Sequence, residues 1–141
     1  MSNLQQITDA CAPPPLVLVA DDDPDTRFLF RTLLEIRGYC VIEAADGDET
    51  VGAAENLRPD LILIDGSLPR LSGLEAARQI RRSGRIGHVP IVFISGHSGA
   101  AVIALAREAG CNEYLVKPLD LALLDDVVEK YCGNPARAFA V

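Results

Sequence analysis

The chain has 141 residues, 49% of them hydrophobic and only 5% aromatic, and a formal net charge of −7. That length suits one domain around one aliphatic core, and the charge argues against nucleic acid or an anionic membrane surface as a direct ligand while suiting cations and basic partner surfaces. No apolar run reaches the ~18 residues that spanning a bilayer requires, so membrane insertion is not expected.

Residues 1–15 end in Pro13-Pro14-Pro15 and lack the basic start and apolar stretch of a signal peptide, so they read as a flexible leader stiffened where it meets the domain. The domain is expected over 16–132. A short tail should follow over 133–141, with Asn134-Pro135 breaking any further helix. Apolar runs at 16–20 (LVLVA), 40–44 (CVIEA), 61–65 (LILID), 90–95 (PIVFIS) and 113–117 (EYLVK) are too short for helices and rich in β-branched residues. Their near-continuous apolar character marks strands buried on both faces, as in a parallel sheet. Helical spacing fills 24–37, 47–56, 73–82, 98–109 and 120–131. Asp23 before Pro24, Asp46 with Glu49, and Ser72 with Glu75 are helix-start signals. Gly38 and Gly110 stand where left-handed C-caps belong. The alternation predicts an α/β fold: a doubly wound, five-stranded parallel sheet of the (βα)₅ kind in the flavodoxin-like order 2-1-3-4-5. Cys11, Cys40, Cys111 and Cys132 make no CxxC pair, and His is too scarce to complete a zinc site. They read as free thiols in a reducing cytosol, which makes the expected location cytoplasmic.

Ligands of open α/β sheets bind beyond the carboxyl ends of the strands. Those ends deliver Asp21, Asp22 and Asp23 after the first run, Asp65 after the third, Ser95 after the fourth, and Lys117-Pro118 after the fifth. Each alone has an ordinary reading: a solvated helix cap, a turn former, a loop residue. Together they converge, because this strand order brings the four ends side by side. Two carboxylates ~4 Å apart repel by roughly 4 kcal/mol at an effective dielectric of 20. A hard divalent cation removes that conflict, and oxygen ligands suit Mg²⁺ or Mn²⁺. A metal on one side of Asp65 and Lys117 on the other can neutralise a transferring phosphoryl group, and the Ser95 hydroxyl can hold a third phosphoryl oxygen.

The runs LVLVADDDPDTR, LILIDGSLPRLSG, IVFISGH and EYLVKP resemble those of response-regulator receiver domains of two-component signalling, over roughly residues 16–132. The resemblance implies a bacterial phosphoprotein. Asp65 would be the phosphoacceptor, Asp22 a direct metal ligand, Asp21 an acid helping through water, and Ser67 the residue whose backbone carbonyl completes the metal shell. Ser95 would be the switch hydroxyl, Lys117 its lysine followed by a cis proline bond, and Tyr114 the aromatic that changes rotamer. Ser67 and His97 occupy positions that tune hydrolysis of the acyl phosphate. Gly66 stands where most relatives have a large apolar residue and is expected to loosen the loop. Leu68 replaces Met, and Leu119 the common Phe.

The segment 98–110 is apolar almost all round, which suggests an exposed face for a partner or a second copy. The resemblance places such an output surface on the fourth helix, fifth strand and fifth helix. With no DNA-binding or catalytic segment after residue 132, output is expected through protein contact, as in stand-alone receivers. The expected function is a signalling switch, not an enzyme beyond its own phosphotransfer and slow autodephosphorylation. A histidine kinase or phosphotransfer protein would supply its phosphoryl group. The alternative is a phosphorylation-independent interaction module. A dehalogenase-type hydrolase needs an acid where Ser67 stands, and a flavodoxin needs a phosphate-cradling loop where the acidic run stands.

Overall fold

The computed structural model describes residues 13–135. Five strands alternate with five helices: β1 (Leu16–Ala20), α1 (Pro24–Ile36), β2 (Cys40–Ala44), α2 (Gly47–Leu57), β3 (Leu61–Asp65), α3 (Gly73–Arg82), β4 (Ile91–Ser95), α4 (Ala100–Glu108), β5 (Glu113–Val116) and α5 (Leu121–Cys132). The strands form one parallel sheet in the order β2-β1-β3-β4-β5. The α/β architecture and strand order are therefore those expected from the sequence.

Alternation along the strands divides the core in two. Leu18, Ala20, Ile62, Ile64, Ile91 and Phe93 face a layer containing Ala54, Ala77, Ile80 and Ala106 of α2, α3 and α4. Val17, Val19, Leu61, Leu63, Val92 and Ile94 face Phe30 and Leu34 of α1 and Leu124 and Val128 of α5. Burial of each Val, Leu, Ile or Phe among these contributes about 1.5–3 kcal/mol. β3 and β4 are buried throughout, as continuous apolar runs require. The edge strands β2 and β5 are only partly covered.

The helix starts follow their caps. Asp23 accepts from the Asp25 amide, Asp46 from the Glu49 amide and Ser72 from the Glu75 amide. Gly38 (φ 99°) and Gly110 (φ 110°) take the positive φ expected of them. α2 differs, ending on Arg58 in the left-handed conformation with no glycine to permit it. α4 begins later than its periodicity suggests, because Gly99 is its N-cap and supplies no side-chain bond. Pro90 and Lys117 fall just outside their strands. α5 stops at Cys132, ahead of Asn134-Pro135. Pro135 itself has helical backbone and is buried, a proline being compatible with a first helical turn; the leader up to Ala12 and the tail from residue 136 lie outside the described residues. Cys40, Cys111 and Cys132 are free thiols, Cys11 lying outside the described residues. Among the described residues no helix is long and apolar enough to cross a membrane.

One glycine is dictated by packing. The loop after β3 lies on the start of α2: the Gly47 amide donates to the Pro69 carbonyl at 3.3 Å, and a Cβ on Gly47 would stand 2.0 Å from the Leu71 carbonyl oxygen. Backbone cannot yield as a flexible side chain does, so Gly47→Ala is expected to cost about 2–4 kcal/mol in urea unfolding.

Candidate functional site

The sheet register explains why remote residues meet. Ala20 pairs with Ile64, Asp65 with Ile94, and Ser95 with Val116. The residues that finish or follow neighbouring strands therefore emerge level at one edge. Backbone bonds hold that edge: the Gly66 amide donates to the Ile94 carbonyl at 3.2 Å, and the Lys117 amide to the Ser95 carbonyl at 2.8 Å.

Asp21 and Asp65 are buried and Asp22 is exposed. Each offers one carboxylate oxygen, and these oxygens all lie within 4.8 Å of one another. At that spacing each pair repels by roughly 3–4 kcal/mol at an effective dielectric of 20. Burial, foremost, pushes the Asp21 carboxyl above its ordinary value, against the bond its carboxylate accepts from the Asp23 amide; Asp65 and Asp22 add to the rise and Lys117 opposes it. An oxygen-only donor set with surplus negative charge fits a hard divalent cation. Asp23 is not part of this set. Its carboxylate accepts from the Asp25 amide at 3.1 Å and the Thr26 hydroxyl at 2.7 Å, which assigns it to the cap of α1.

Asp65 is held from two sides. Its Oδ1 accepts from the Ser67 amide at 3.1 Å and the Ser67 hydroxyl at 3.0 Å. Its Oδ2 lies 3.5 Å from Lys117 Nζ. Buried Ser95 accepts from the His97 amide at 3.2 Å. The Tyr114 hydroxyl donates to the His97 carbonyl at 2.7 Å, and its ring stacks on Phe93. The Lys117-Pro118 bond is cis. Thus Asp21, Asp22, Asp65 and Lys117 meet in one pocket. Ser95 stands at the neighbouring strand end, with Ser67, His97 and Tyr114 around it.

Two residues make contacts that the sequence pattern does not reveal. The Ser67 hydroxyl, beyond the expected role of its carbonyl, donates to Asp65. Arg27 donates to the Asp21 carbonyl at 2.7 Å and pairs with Glu43 at 3.0 Å, tying the acidic loop to β2. The sequence signal for Arg27 is a cation one helical turn after an acidic run.

Comparison with known proteins agrees with this geometry. The model of the response regulator receiver domain family matches residues 17–129. The polar-differentiation response regulator DivK of Brucella anthropi is 31% identical over 121 residues, 86% of this chain and 98% of that protein. The autoinducer sensor kinase/phosphatase CqsS of Vibrio cholerae is 38% identical over 109 residues, 77% of this chain but 16% of that much longer protein. Among solved structures, the receiver domain of a Pseudomonas aeruginosa sensor histidine kinase superposes with a TM-score of 0.79 at 32% identity, covering 86% of this chain and 99% of that one; it holds a magnesium ion in its active-site cleft. A Vibrio cholerae chemotaxis response regulator gives a TM-score of 0.79 at 26% identity over 84% of this chain and 98% of that one. With an acidic cluster and a lysine gathered at the carboxyl edge of a 2-1-3-4-5 sheet, and a family match over most of its length, the chain belongs to the response-regulator receiver domains of two-component systems.

Proposed function

We propose that this chain is a phosphorylation-dependent signalling switch that accepts a phosphoryl group on Asp65. The observation that carries the proposal is the Asp65 carboxylate itself, standing between two further carboxylates within 4.8 Å and the Lys117 ammonium at 3.5 Å. Asp21, Asp22, Asp65 and the Ser67 backbone carbonyl would hold Mg²⁺ or Mn²⁺, which supplies charge neutralisation to the phosphoryl oxygens when bound. An Asp65 oxygen attacks the phosphorus, and the bond from phosphorus to the donor's imidazole nitrogen breaks. That nitrogen leaves with the electron pair. Lys117 stabilises charge on the arriving group, and the Ser95 hydroxyl turns to donate to it. Ser67 and His97 stand beside the acyl phosphate so formed and govern how water reaches it during slow autodephosphorylation.

Phosphoryl supply fits a histidine kinase or phosphotransfer protein in the cytoplasm. Such a donor must place its phosphorus at Asp65, so its docking face has to adjoin Lys117. A groove there is lined by Leu29, Phe30, Lys117, Pro118, Leu119 and Leu121. Leu29 on α1, one of the residues lining this groove, is 47% exposed. Leu29→Asp is expected to slow transfer from the protein donor about thirtyfold, the worth of one ~2 kcal/mol anchor. Labelling by acetyl phosphate, which needs no docking, should be unchanged. Equal loss with both donors would remove the assignment of that face.

Output fits the face of α4, β5 and α5, where Leu105, Val116 and Leu123 are exposed, toward a downstream protein or a second copy. Phosphorylation would shift an equilibrium already present there. Metal-dependent labelling of Asp65 by acetyl phosphate tests the whole reading: a chain left unlabelled is an interaction module.

A further inference from the structure

Asp21 is held through its main chain on both sides. Its amide donates to the Ala44 carbonyl of β2 at 3.0 Å, and its carbonyl accepts from Arg27 Nη1 at 2.7 Å. That carbonyl belongs to the peptide joining Asp21 to Asp22, so its placement governs where both carboxylates stand. Arg27 comes within reach because Asp23 caps α1 and residue 27 lies one turn on, its own amide donating to the Asp23 carbonyl at 3.0 Å.

The guanidinium is fixed in turn. Its Nε donates to Glu43 Oε1 at 3.0 Å, and the side chain is only 18% exposed. The other Glu43 oxygen pairs with Arg31, whose Nε bonds Glu35 at 2.6 Å. Glu43 precedes Ala44 in β2. One strand end therefore receives the Asp21 amide and also anchors the arginine that holds the Asp21 carbonyl. A rigid guanidinium fork serves a carboxylate through one nitrogen and a carbonyl through another, and an ammonium lacks that geometry.

Charge by itself would argue against this residue, since a cation beside three acids repels an incoming metal ion. What Arg27 offers the site is geometry. We infer that Arg27 is a positioning residue of the metal site: braced by Glu43, it holds the Asp21-Asp22 peptide so that both carboxylates stay gathered with Asp65, and so sets how tightly the cation binds. This rests on the metal-site reading above and deepens it. Without the bond that peptide is free to turn, and part of the cation's binding free energy goes into ordering the loop.

The test measures Mg²⁺ binding by amide chemical shifts on folded, initially metal-free protein, beside melting curves. Arg27→Met removes the charge and both bonds. Arg27→Lys keeps the charge and loses the fork. Arg31→Met takes the neighbouring cation from Glu43 and leaves the bond to Asp21. The Kd is expected to rise about tenfold in Arg27→Met, equivalent to ~1.4 kcal/mol and on the scale of one hydrogen bond from a charged donor. It should rise about threefold or more in Arg27→Lys and stay within about twofold of the parent in Arg31→Met. Arg27→Met binding Mg²⁺ as tightly as the parent, or more tightly, overturns the inference, because charge or general stability would then be all that the residue supplies. A fall in melting temperature with Kd unchanged counts the same way. Arg31→Met weakened as much as Arg27→Met overturns it too. Should Arg27→Met fail to fold, Arg27→Lys with the parent's Kd decides against the inference. A parent that binds no Mg²⁺ removes the metal site and this inference with it, whereas a parent that binds while the Arg27 variants match it removes the inference alone.

Discussion

Asp65→Asn is expected to take up no phosphoryl group from acetyl phosphate, and in chelator to melt about 4–8 °C above the parent, the shift that ~1–2 kcal/mol produces in a domain of this size. Loss of labelling follows from chemistry, because an amide oxygen is no nucleophile for phosphorus at neutral pH. The rise in stability follows from the balance of charges. Asp65 faces two acids whose oxygens lie within 4.8 Å and one ammonium at 3.5 Å. The Lys117 side chain is 39% exposed and its attraction is partly screened by water, while Asp65 is only 6% exposed. Asn retains an oxygen able to accept both Ser67 bonds, so the substitution removes charge without orphaning those donors. Acetyl phosphate uptake followed by phosphate-affinity electrophoresis, beside melting curves in chelator, checks both halves. A variant that melts below the parent would mean the lysine outweighs the acids.

The second large effect belongs to Asp21. Burial above all raises its pKa from the ordinary 3.8, with Asp65 and Asp22 contributing in the same direction. The folded chain thus holds this proton more tightly than the unfolded chain. Its contribution to stability is complete below the unfolded value and is lost as pH rises through the folded one. An ionised Asp21 carboxylate is costly in this buried, acidic setting until a cation arrives. Metal-free Asp21→Asn is therefore expected to melt above the parent at pH 7, with the difference shrinking as pH falls toward and below the ordinary 3.8. Magnesium at 100 times its Kd should stabilise the parent by about 2.7 kcal/mol, or about 8–11 °C, and the variant much less. The metal's effect on the parent should fade as pH falls and protons compete for Asp21. Calorimetric scans over pH with and without Mg²⁺ measure all of this. A parent indifferent to Mg²⁺ at pH 7 would remove the metal site.

Much of this molecule is legible in its residue order because the relevant physics is local. Brief β-branched runs, caps such as Asp46 and Ser72, and glycines such as Gly38 and Gly110 act within a few residues of chain, so the elements and the parallel sheet follow from pattern. The convergence of Asp21, Asp65, Ser95 and Lys117 follows too, since strand order and the carboxyl-edge rule place them together. Distances were beyond reach. No local pattern tells that Arg27 reaches the Asp21 carbonyl or that the Ser67 hydroxyl turns onto Asp65. Gly47 and Gly66 look alike in the chain, yet a Cβ on the first would stand 2.0 Å from a backbone carbonyl oxygen and a Cβ on the second would meet only side chains at ordinary contact distances. That difference arises from how α2, α3 and α4 settle on the sheet. The residues by themselves determined which groups stand at the strand ends; only the packed tertiary structure decided which of them touch and where space is left, because contact between remote residues depends on packing summed over the whole core.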